Sequence, residues 1–403
     1  DARRQRQMCI RDRRYLIPFF DPQVQTWAIE ARLLRWLTFL WLCIGLVVLF
    51  SASYANAATE YGDGLYFFKR QLIWVLAGTL VFNGVVYSPF SGILQSAKVG
   101  VILMLTLLLL TLIPGVGTTI NGATRWISLG SVIIQPSELI KPFLVLQAAY
   151  LFSKWNHLSW LVRITWLFIF SLVLVFILLQ PNLSTTALCG IIIWFIAFAA
   201  GLPYFYLGGI ALAGFLLATI SVSINDYQRK RILSFANPWT DPMGNGYQLV
   251  QSLLAIGSGD IWGRGFGLSQ QKLHFLPIPY SDFIFSVYAE EFGFVGALVL
   301  LLLLAVYSII ALKVAFKARL MEHQLVAIGA MIALVGQSLL NIGVATGILP
   351  TTGLPLPLFS YGGSSMISSL LLAGLLVRVA REENQAAVLT LKERRLRRGR
   401  YIQ

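Results

Sequence analysis

Residues 279–312 read "PYSDFIFSVYAEEFGFVGALVLLLLLAVYSIIAL", and this stretch decides the fold. Its second part, residues 292–312, carries no charged side chain. A helix rises about 1.5 Å per residue, so a run of this length crosses a hydrocarbon core of about 30 Å. The stretch therefore predicts a transmembrane helix with Asp282 at its mouth and two acids, Glu290 and Glu291, about two turns further on.

Similar apolar runs recur along the chain. Of the 403 residues 57% are hydrophobic and only 12% are charged, which is not the composition of a soluble domain. The sequence predicts an all-α polytopic membrane protein with about ten transmembrane helices and a large extracytoplasmic loop between the seventh and the eighth. The spans are centred near Leu46, Leu80, Leu107, Leu146, Phe170, Trp194, Leu212, Leu298, Ile332 and Leu371.

The span near Leu146 carries Glu138, Lys141 and Pro142 close to its start. Charged side chains are costly inside a membrane unless they are paired. Because Glu138 and Lys141 lie one helical turn apart, they can neutralise each other, and the span remains plausible.

Basic residues set the expected orientation. The chain has a net charge of +14, clusters of Arg lie near both of its ends, and Lys and Arg next to spans are retained in the cytoplasm. Both termini are therefore predicted to be cytoplasmic, against anionic lipid rather than nucleic acid. The expected organisation is a basic tail over residues 1–32, a transmembrane domain over 33–381 that includes the loop at about 225–282, and a second basic tail over 382–403. The first 14 residues or so look extraneous.

Cysteine and histidine indicate no metal or disulfide framework. Cys9, Cys43 and Cys189 are widely spaced, as are the three histidines. Thiols in apolar spans behave as small hydrophobes. A His-based metal cage needs ligands that the sequence does not cluster.

Three long segments rich in Gly, Pro and polar residues are predicted to face outward, at 114–141, at about 225–282 and at 347–365. Such segments can roof a cavity over a helical bundle. Within the second, residues 247–259 predict a short interfacial helix, and the glycines that follow predict a tightly packed backbone. Arg229, Lys230 and Arg231 fit a solvated or lipid-facing surface as well as a phosphate site.

Asp282 admits two interpretations of equal weight from physics alone. A carboxylate at a helix N-terminus is a common cap, and one at the mouth of a span is also within reach of water and substrate. For Glu290 and Glu291, a structural role is favoured over a catalytic one.

Five motifs that follow one another in a fixed order carry a specific resemblance. They are "GATRWISLG" with "QPSELIKPF" (122–143), "NPWTDPMGNGYQLVQSLLAIGSG" (237–259), "GFGLSQQKLHFLP" (265–277), "SDFIFSVYAEEFGFVG" (281–296) and "TGLPLPLFSYGGSSM" (352–366). From about Leu33 to about Arg381 the chain resembles the SEDS family of shape, elongation, division and sporulation proteins, and its division branch more than its elongation branch.

The resemblance implies a peptidoglycan glycosyltransferase. Such an enzyme polymerises lipid II at the outer face of the cytoplasmic (inner) membrane, here at the division septum. Its expected partners are a class B penicillin-binding protein that crosslinks the glycan, other membrane proteins of the division complex and membrane lipid. The family's essential acid matches Asp282, which is therefore the expected catalytic base.

The remaining site residues are assigned from charge and location. Glycosyl transfer from a pyrophosphate donor needs cations around the leaving group, and a divalent cation such as Mg²⁺ or Mn²⁺ could share this task. Two departures from the family pattern are Asn182, where many members have an acid, and "PIPY" before Asp282, where Glu and His are common. The expected substrate-binding residues are Arg125, Gln135, Glu138, Lys141, Tyr247, Gln251, Lys272 and Ser360.

Two other classes of function stay open at this point. Intramembrane Glu138 and Lys141 would suit a lipid-linked precursor flippase or another transporter. A non-catalytic division scaffold is the third possibility. Polymer formation, movement of lipid II between leaflets, or neither would distinguish the three.

Overall fold

The computed structural model describes residue 24 and residues 27–120, 123–130 and 132–400, with the backbone alone for 383–400. The expected extraneous first 14 residues lie outside this range. The helices are α1 (Ile29–Tyr61), α2 (Tyr66–Tyr87), α3 (Phe90–Thr111), α4 (Pro136–Ser153), α5 (Trp160–Leu179), α6 (Leu183–Ala199), α7 (Tyr204–Ile224), α8 (Asp226–Ala236), α9 (Tyr247–Ser258), α10 (Ile284–Lys317), α11 (Met321–Ala345) and α12 (Gly363–Arg400).

Most of these helices are long and apolar enough to cross a membrane. Within the described residues eight meet both criteria, namely α1, α2, α3, α5, α7, α10, α11 and the part of α12 up to Glu382. Helices α4 and α6, with 18 and 17 residues, lie where spans were predicted but fall short in hydropathy or length. The polytopic helical fold is confirmed, and the count of ten stays a prediction.

Helix α4 lies at the centre of the bundle. Most of its side chains are buried, including both charged ones. Lys141 Nζ lies 2.7 Å from Glu138 Oε1, with side-chain exposures of 2% and 3%. The predicted neutralisation within one helical turn is confirmed, and it explains how a central helix tolerates two charges.

Helix α10 is interrupted near the acids that the sequence places inside it. Gly293 adopts φ 67° and ψ −165°, so the helix breaks just after Glu290 and Glu291. The glycine-rich loop fills the break, since Arg264 N donates to Glu290 O and Gly265 N to Glu291 O, both at 3.0 Å.

Gly263 shows why this loop needs glycine. Its φ is +80°, and a Cβ built on it would lie 2.2 Å from the Glu291 carbonyl oxygen. Only a residue without a side chain allows the two backbones to approach so closely. The predicted compact glycine backbone is confirmed at this position.

The first long segment folds as a small antiparallel sheet, a feature the sequence analysis did not predict. Strands β1 (Gly117–Ile120), β2 (Ala123–Leu129) and β3 (Val132–Ile134) are ordered β1-β2-β3. Thr118 pairs with Trp126, and Ser128 pairs with Ile133. The sheet leads into α4 at Gln135, so it lies over the end of the bundle at which α4 begins.

Candidate active site

Asp282 lies two residues before α10, in a non-helical turn. The N-cap position of α10 is Phe283, and no side chain caps this helix end with a hydrogen bond. The Asp282 side chain is half-buried. The capping interpretation is therefore not supported by the geometry, and the carboxylate remains available for chemistry.

Neighbouring segments hold the backbone around Asp282. Asn341 Nδ2 donates to the carbonyl oxygens of Asp282 and Leu354, both at 2.7 Å. Ser360 Oγ donates to Ser281 O at 2.6 Å. Asp282 is thus fixed between α11 and the 347–362 segment, as a preorganised catalytic group requires.

Arg231 of α8 is the cation next to this acid. A Cβ built on Gly353 would lie 3.8 Å from both Arg231 Nη1 and Asp282 Oδ2, so the two side chains lie on either side of the space above this glycine. Gly353 has φ +73°. Arg231 Nη1 also donates to Thr351 O at 3.3 Å, which ties α8 to the same segment.

The environment of Asp282 changes its acidity. Burial raises the pKa of the Asp282 carboxyl above its ordinary value, whereas a backbone hydrogen bond and the positive charge of Arg231 lower it. The net direction is upward. A carboxylate with a raised pKa is a stronger base than a solvated one.

Two further acceptors lie on the elements that hold Asp282. Asn341 Oδ1 and Thr352 Oγ1 are buried and have no hydrogen-bond partner within the described protein. Buried polar atoms are normally satisfied, and a ligand is one of the groups that can satisfy them. The turn around Asp282 therefore offers several oxygen atoms to a bound hydroxyl.

A chain of polar side chains joins this turn to α4. Lys141 Nζ donates to Gln337 Oε1 at 2.8 Å, besides Glu138. Gln337 lies one helical turn before Asn341 on α11, and its Nε2 donates to Pro355 O at 2.7 Å. The structure thus links the predicted residues Glu138 and Lys141 to the segment around Asp282, although as buried groups behind it.

Arg125 and Gln135 contact other parts of the same end of the bundle. Arg125 Nε donates to Gln180 O at 2.9 Å, and Nη2 donates to Pro181 O at 2.5 Å. The backbone N–H of Gln135 donates to Ser364 Oγ at the start of α12. Their assignment to substrate binding stays a prediction.

Lys272 lies in a buried ion pair. Its Nζ is 2.7 Å from Glu291 Oε1 and 2.7 Å from Ser51 Oγ. Glu290 accepts hydrogen bonds from Ser269 Oγ and the Gln270 N–H. These contacts fit the structural role predicted for both glutamates, and they place Lys272 with them rather than at the surface.

Tyr247 and Gln251 lie one turn apart on α9, and both are partly exposed. Ser252 anchors this helix, since its hydroxyl bonds Ala345 O at 2.7 Å and Ser286 Oγ at 2.6 Å. Helix α9 therefore lies against α10 close to the mouth. Its exposed residues remain candidates for substrate contact.

Asn182 serves as the N-cap of α6, where its side chain accepts from the Thr185 N–H at 3.3 Å. This contact gives Asn182 a structural role at the helix end.

For a divalent cation, the described residues hold no group of three or more His, Cys, Asp or Glu side chains. They do not form a protein cage for such an ion.

Sequence reasoning missed Arg231 and Asn341 as neighbours of the acid. From sequence, Arg231 is only one member of a cationic cluster that fits either a solvated or lipid-facing surface or a phosphate site. Asn341 lies 59 residues from Asp282 in sequence, and nothing in its local pattern indicates the contact. The Pro and Gly residues of "PTTGLPLP" around Gly353 indicate an unusual backbone conformation. They do not indicate which side chains lie next to it.

A helical membrane bundle that fixes a half-buried acid and an arginine under polar loops has the architecture of a membrane-embedded enzyme. Comparison with known proteins identifies its family. Residues 31–385 match the family model FTSW_RODA_SPOVE, described as cell cycle protein, and the chain belongs to this family.

Individual relatives agree with the family assignment. The chain is 55% identical over 378 residues to a probable peptidoglycan glycosyltransferase FtsW from Synechocystis, covering 94% of this chain and 96% of the relative. It is 50% identical over 368 residues to a putative peptidoglycan glycosyltransferase FtsW from Mesostigma viride, covering 91% and 88%. A structure described as a peptidoglycan synthase complex that coordinates polymerization and crosslinking matches with TM-score 0.70 and 29% identity, covering 87% and 97%.

Proposed function

We propose that this protein is a peptidoglycan glycosyltransferase that polymerises lipid II into glycan strands during septal cell-wall synthesis. The observation that carries the proposal is the position of Asp282, which is half-buried, caps no helix and lies beside Arg231. The names of the FtsW relatives support the same reaction.

The reaction needs one proton acceptor and one site for developing negative charge. Asp282 takes the proton from the acceptor sugar hydroxyl as that oxygen attacks the anomeric carbon of the donor. The bond from that carbon to the pyrophosphate breaks, and the lipid pyrophosphate leaves with the electron pair. Asn341 Oδ1 and Thr352 Oγ1 can accept from further hydroxyl groups of the sugar.

Arg231 is our candidate for the positive charge near the leaving group. Arg125, Lys141 and Lys272 are the cations among the substrate-binding residues expected from sequence, but Lys141 and Lys272 are buried against carboxylates. Arg231 instead lies at the turn that holds Asp282. A guanidinium both binds phosphate oxygens and favours the ionised form of a neighbouring acid.

We expect the pH dependence of the polymerisation rate to depend on Asp282 and on the neighbouring charge of Arg231. Because burial raises the pKa of Asp282, the rate falls with decreasing pH through a value above that of an ordinary carboxyl. Arg231→Gln removes a charge that opposes the rise, so the acid limb of the rate profile moves to higher pH. The measurement is the initial rate of lipid II polymerisation against pH.

The matched control is Lys230→Gln, an exposed neighbour on the same helix. This variant should leave the acid limb where it is in the wild type. An unmoved acid limb in Arg231→Gln, or an equal movement in both variants, would refute the coupling between Arg231 and Asp282.

For its partner and location we propose a class B penicillin-binding protein and the cytoplasmic membrane at the division septum. The similarity to a synthase complex supports the first. Besides that transpeptidase, the proposed partners include other membrane proteins of the division complex. The domain organisation remains as proposed from sequence, with basic tails over 1–32 and 382–403 around the transmembrane domain.

We predict that both termini are cytoplasmic and that the segment around Trp239 is outside. The basic tails and the even span count motivate this orientation. Single cysteines at Trp239 and Arg395, probed with a membrane-impermeant maleimide on intact cells, should label at Trp239 only. Labelling at Arg395 would reverse the topology and place Asp282 on the cytoplasmic side.

A further inference from the structure

A cavity of about 950 Å³ lies among α4, α5, α6 and α7, away from Asp282. Helix α4 begins beside Ser364, near the active-site end, and its last residues, Phe152 and Ser153, line the cavity. The cavity is therefore at the opposite end of the bundle. Its volume is at the upper end of the range of about 300 to 1,000 Å³ that is usual for ligand sites.

The walls of this cavity are apolar and are formed by loosely packed helices. Helix α7 buries only Leu207 among its 21 residues, and Trp194 Nε1 ties it to α6 by donating to Leu207 O at 3.0 Å. A side chain added to Gly190 would meet no atom within 4 Å. The Ser171 hydroxyl donates to the Leu167 carbonyl oxygen within α5, so this polar group on the wall already has a partner.

The mouth of the cavity has a different chemistry. Trp160 and Tyr206 are 71% and 64% exposed, as is typical of aromatic residues at the membrane–water boundary. Arg163 lies at the same mouth, stacked on Trp155 at 5.2 Å. Its Nε donates to Leu158 O at 3.0 Å, and its two terminal nitrogens have no hydrogen-bond partner among the described residues.

We propose that this cavity binds one anionic phospholipid, whose phosphate contacts Arg163 and whose acyl chain lies between α5, α6 and α7. The guanidinium of Arg163 suits the phosphate of such a lipid, and the apolar slot below it suits the acyl chain. The neighbouring cation Lys154 is paired with Glu322 at 3.0 Å, so Arg163 carries the uncompensated charge at this mouth. The lipid would fill the gap that the weak packing of α7 leaves.

Lipid retention tests the proposal without any use of enzymatic activity, so its failure is distinct from failure of the proposed function. Purified full-length protein is delipidated mildly, supplied with phosphatidylglycerol and measured by native mass spectrometry. Wild type should retain one lipid. Arg163→Gln, and Gly190→Leu, which fills the slot, should each weaken retention by about ten-fold or more.

The matched control is Lys98→Gln, which removes an exposed cation outside the cavity. It should retain lipid as the wild type does. Equal retention by wild type, Arg163→Gln and Gly190→Leu would overturn the proposal. Thermal stabilisation by inorganic phosphate equal to that by phosphatidylglycerol would also overturn it, because the acyl chain would then contribute nothing.

A photo-crosslinking residue at Leu167 tests the occupant in native membranes. Leu167 lines the cavity, so its adduct should be a phospholipid. A protein adduct at this position would contradict the proposal, because it would place a helix of a partner in the slot instead.

Discussion

Asp282→Asn should abolish glycan polymerisation while the protein stays folded and inserted. Asn keeps the size of the side chain, and the hydrogen bond from Asn341 is unaffected because it goes to the backbone oxygen of residue 282. The variant loses the proton acceptor, and loss of a general base costs about 10²- to 10⁴-fold, or roughly 3 to 5 kcal/mol of barrier. The measurement is the initial rate of lipid II polymerisation by the purified variant.

Asp260→Asn is the control for this prediction. Asp260 is an exposed acid with φ +50°, a backbone conformation that Asn accepts. Its carbonyl oxygen accepts a hydrogen bond from the Phe294 N–H, which the substitution leaves in place. Its rate and melting temperature should equal those of the wild type. Near wild-type polymerisation by Asp282→Asn would show that this carboxylate is not the base.

Lys272→Met should destabilise the protein by about 3 to 5 kcal/mol, since it leaves the Glu291 carboxylate buried without its ion pair. The side chains of Lys272 and Glu291 are 7% and 0% exposed, so water cannot replace the partner. The double variant Lys272→Met/Glu291→Gln should recover most of the loss. Thermal unfolding in detergent at constant lipid content measures both effects.

An exposed ion pair provides the comparison. Lys69 lies 2.8 Å from Asp63 with side-chain exposures of 60% and 44%, so Lys69→Met should leave the melting temperature unchanged. The double variant also tests the sequence assignment of Lys272 to substrate. We expect it to polymerise lipid II at the wild-type rate; a folded double variant without activity would place Lys272 at the pyrophosphate and contradict a purely structural role.

The helical membrane fold could be predicted because hydrocarbon thickness sets a length that apolar runs must reach. The pairing of Glu138 with Lys141 was predictable too, since residues three apart share a helix face. The strands of the first segment were missed because they are short. Their β-branched and aromatic residues, as in "ATRWISL", were the available signal.

The active-site neighbours could not be read from local pattern. The place of Asp282 at a span and a family motif indicate the residue itself, but its proximity to Arg231 and its hydrogen bond from Asn341 depend on how α8 and α11 pack. Lys272 is expected at the substrate only from its charge and its location in the sequence. The sequence does not show that Lys272 pairs with Glu291 just before the helix break at Gly293, because that contact depends on how the glycine-rich loop packs against α10.

Reconstitution with labelled lipid II tests the central claim most directly. The purified protein is incorporated into liposomes with its cognate transpeptidase, and glycan products and lipid II movement between leaflets are measured together. The account predicts glycan polymer from the wild type and none from Asp282→Asn at equal protein content. Movement of lipid II between leaflets without polymer would contradict it in favour of a flippase, and neither polymer nor movement would contradict it in favour of a scaffold.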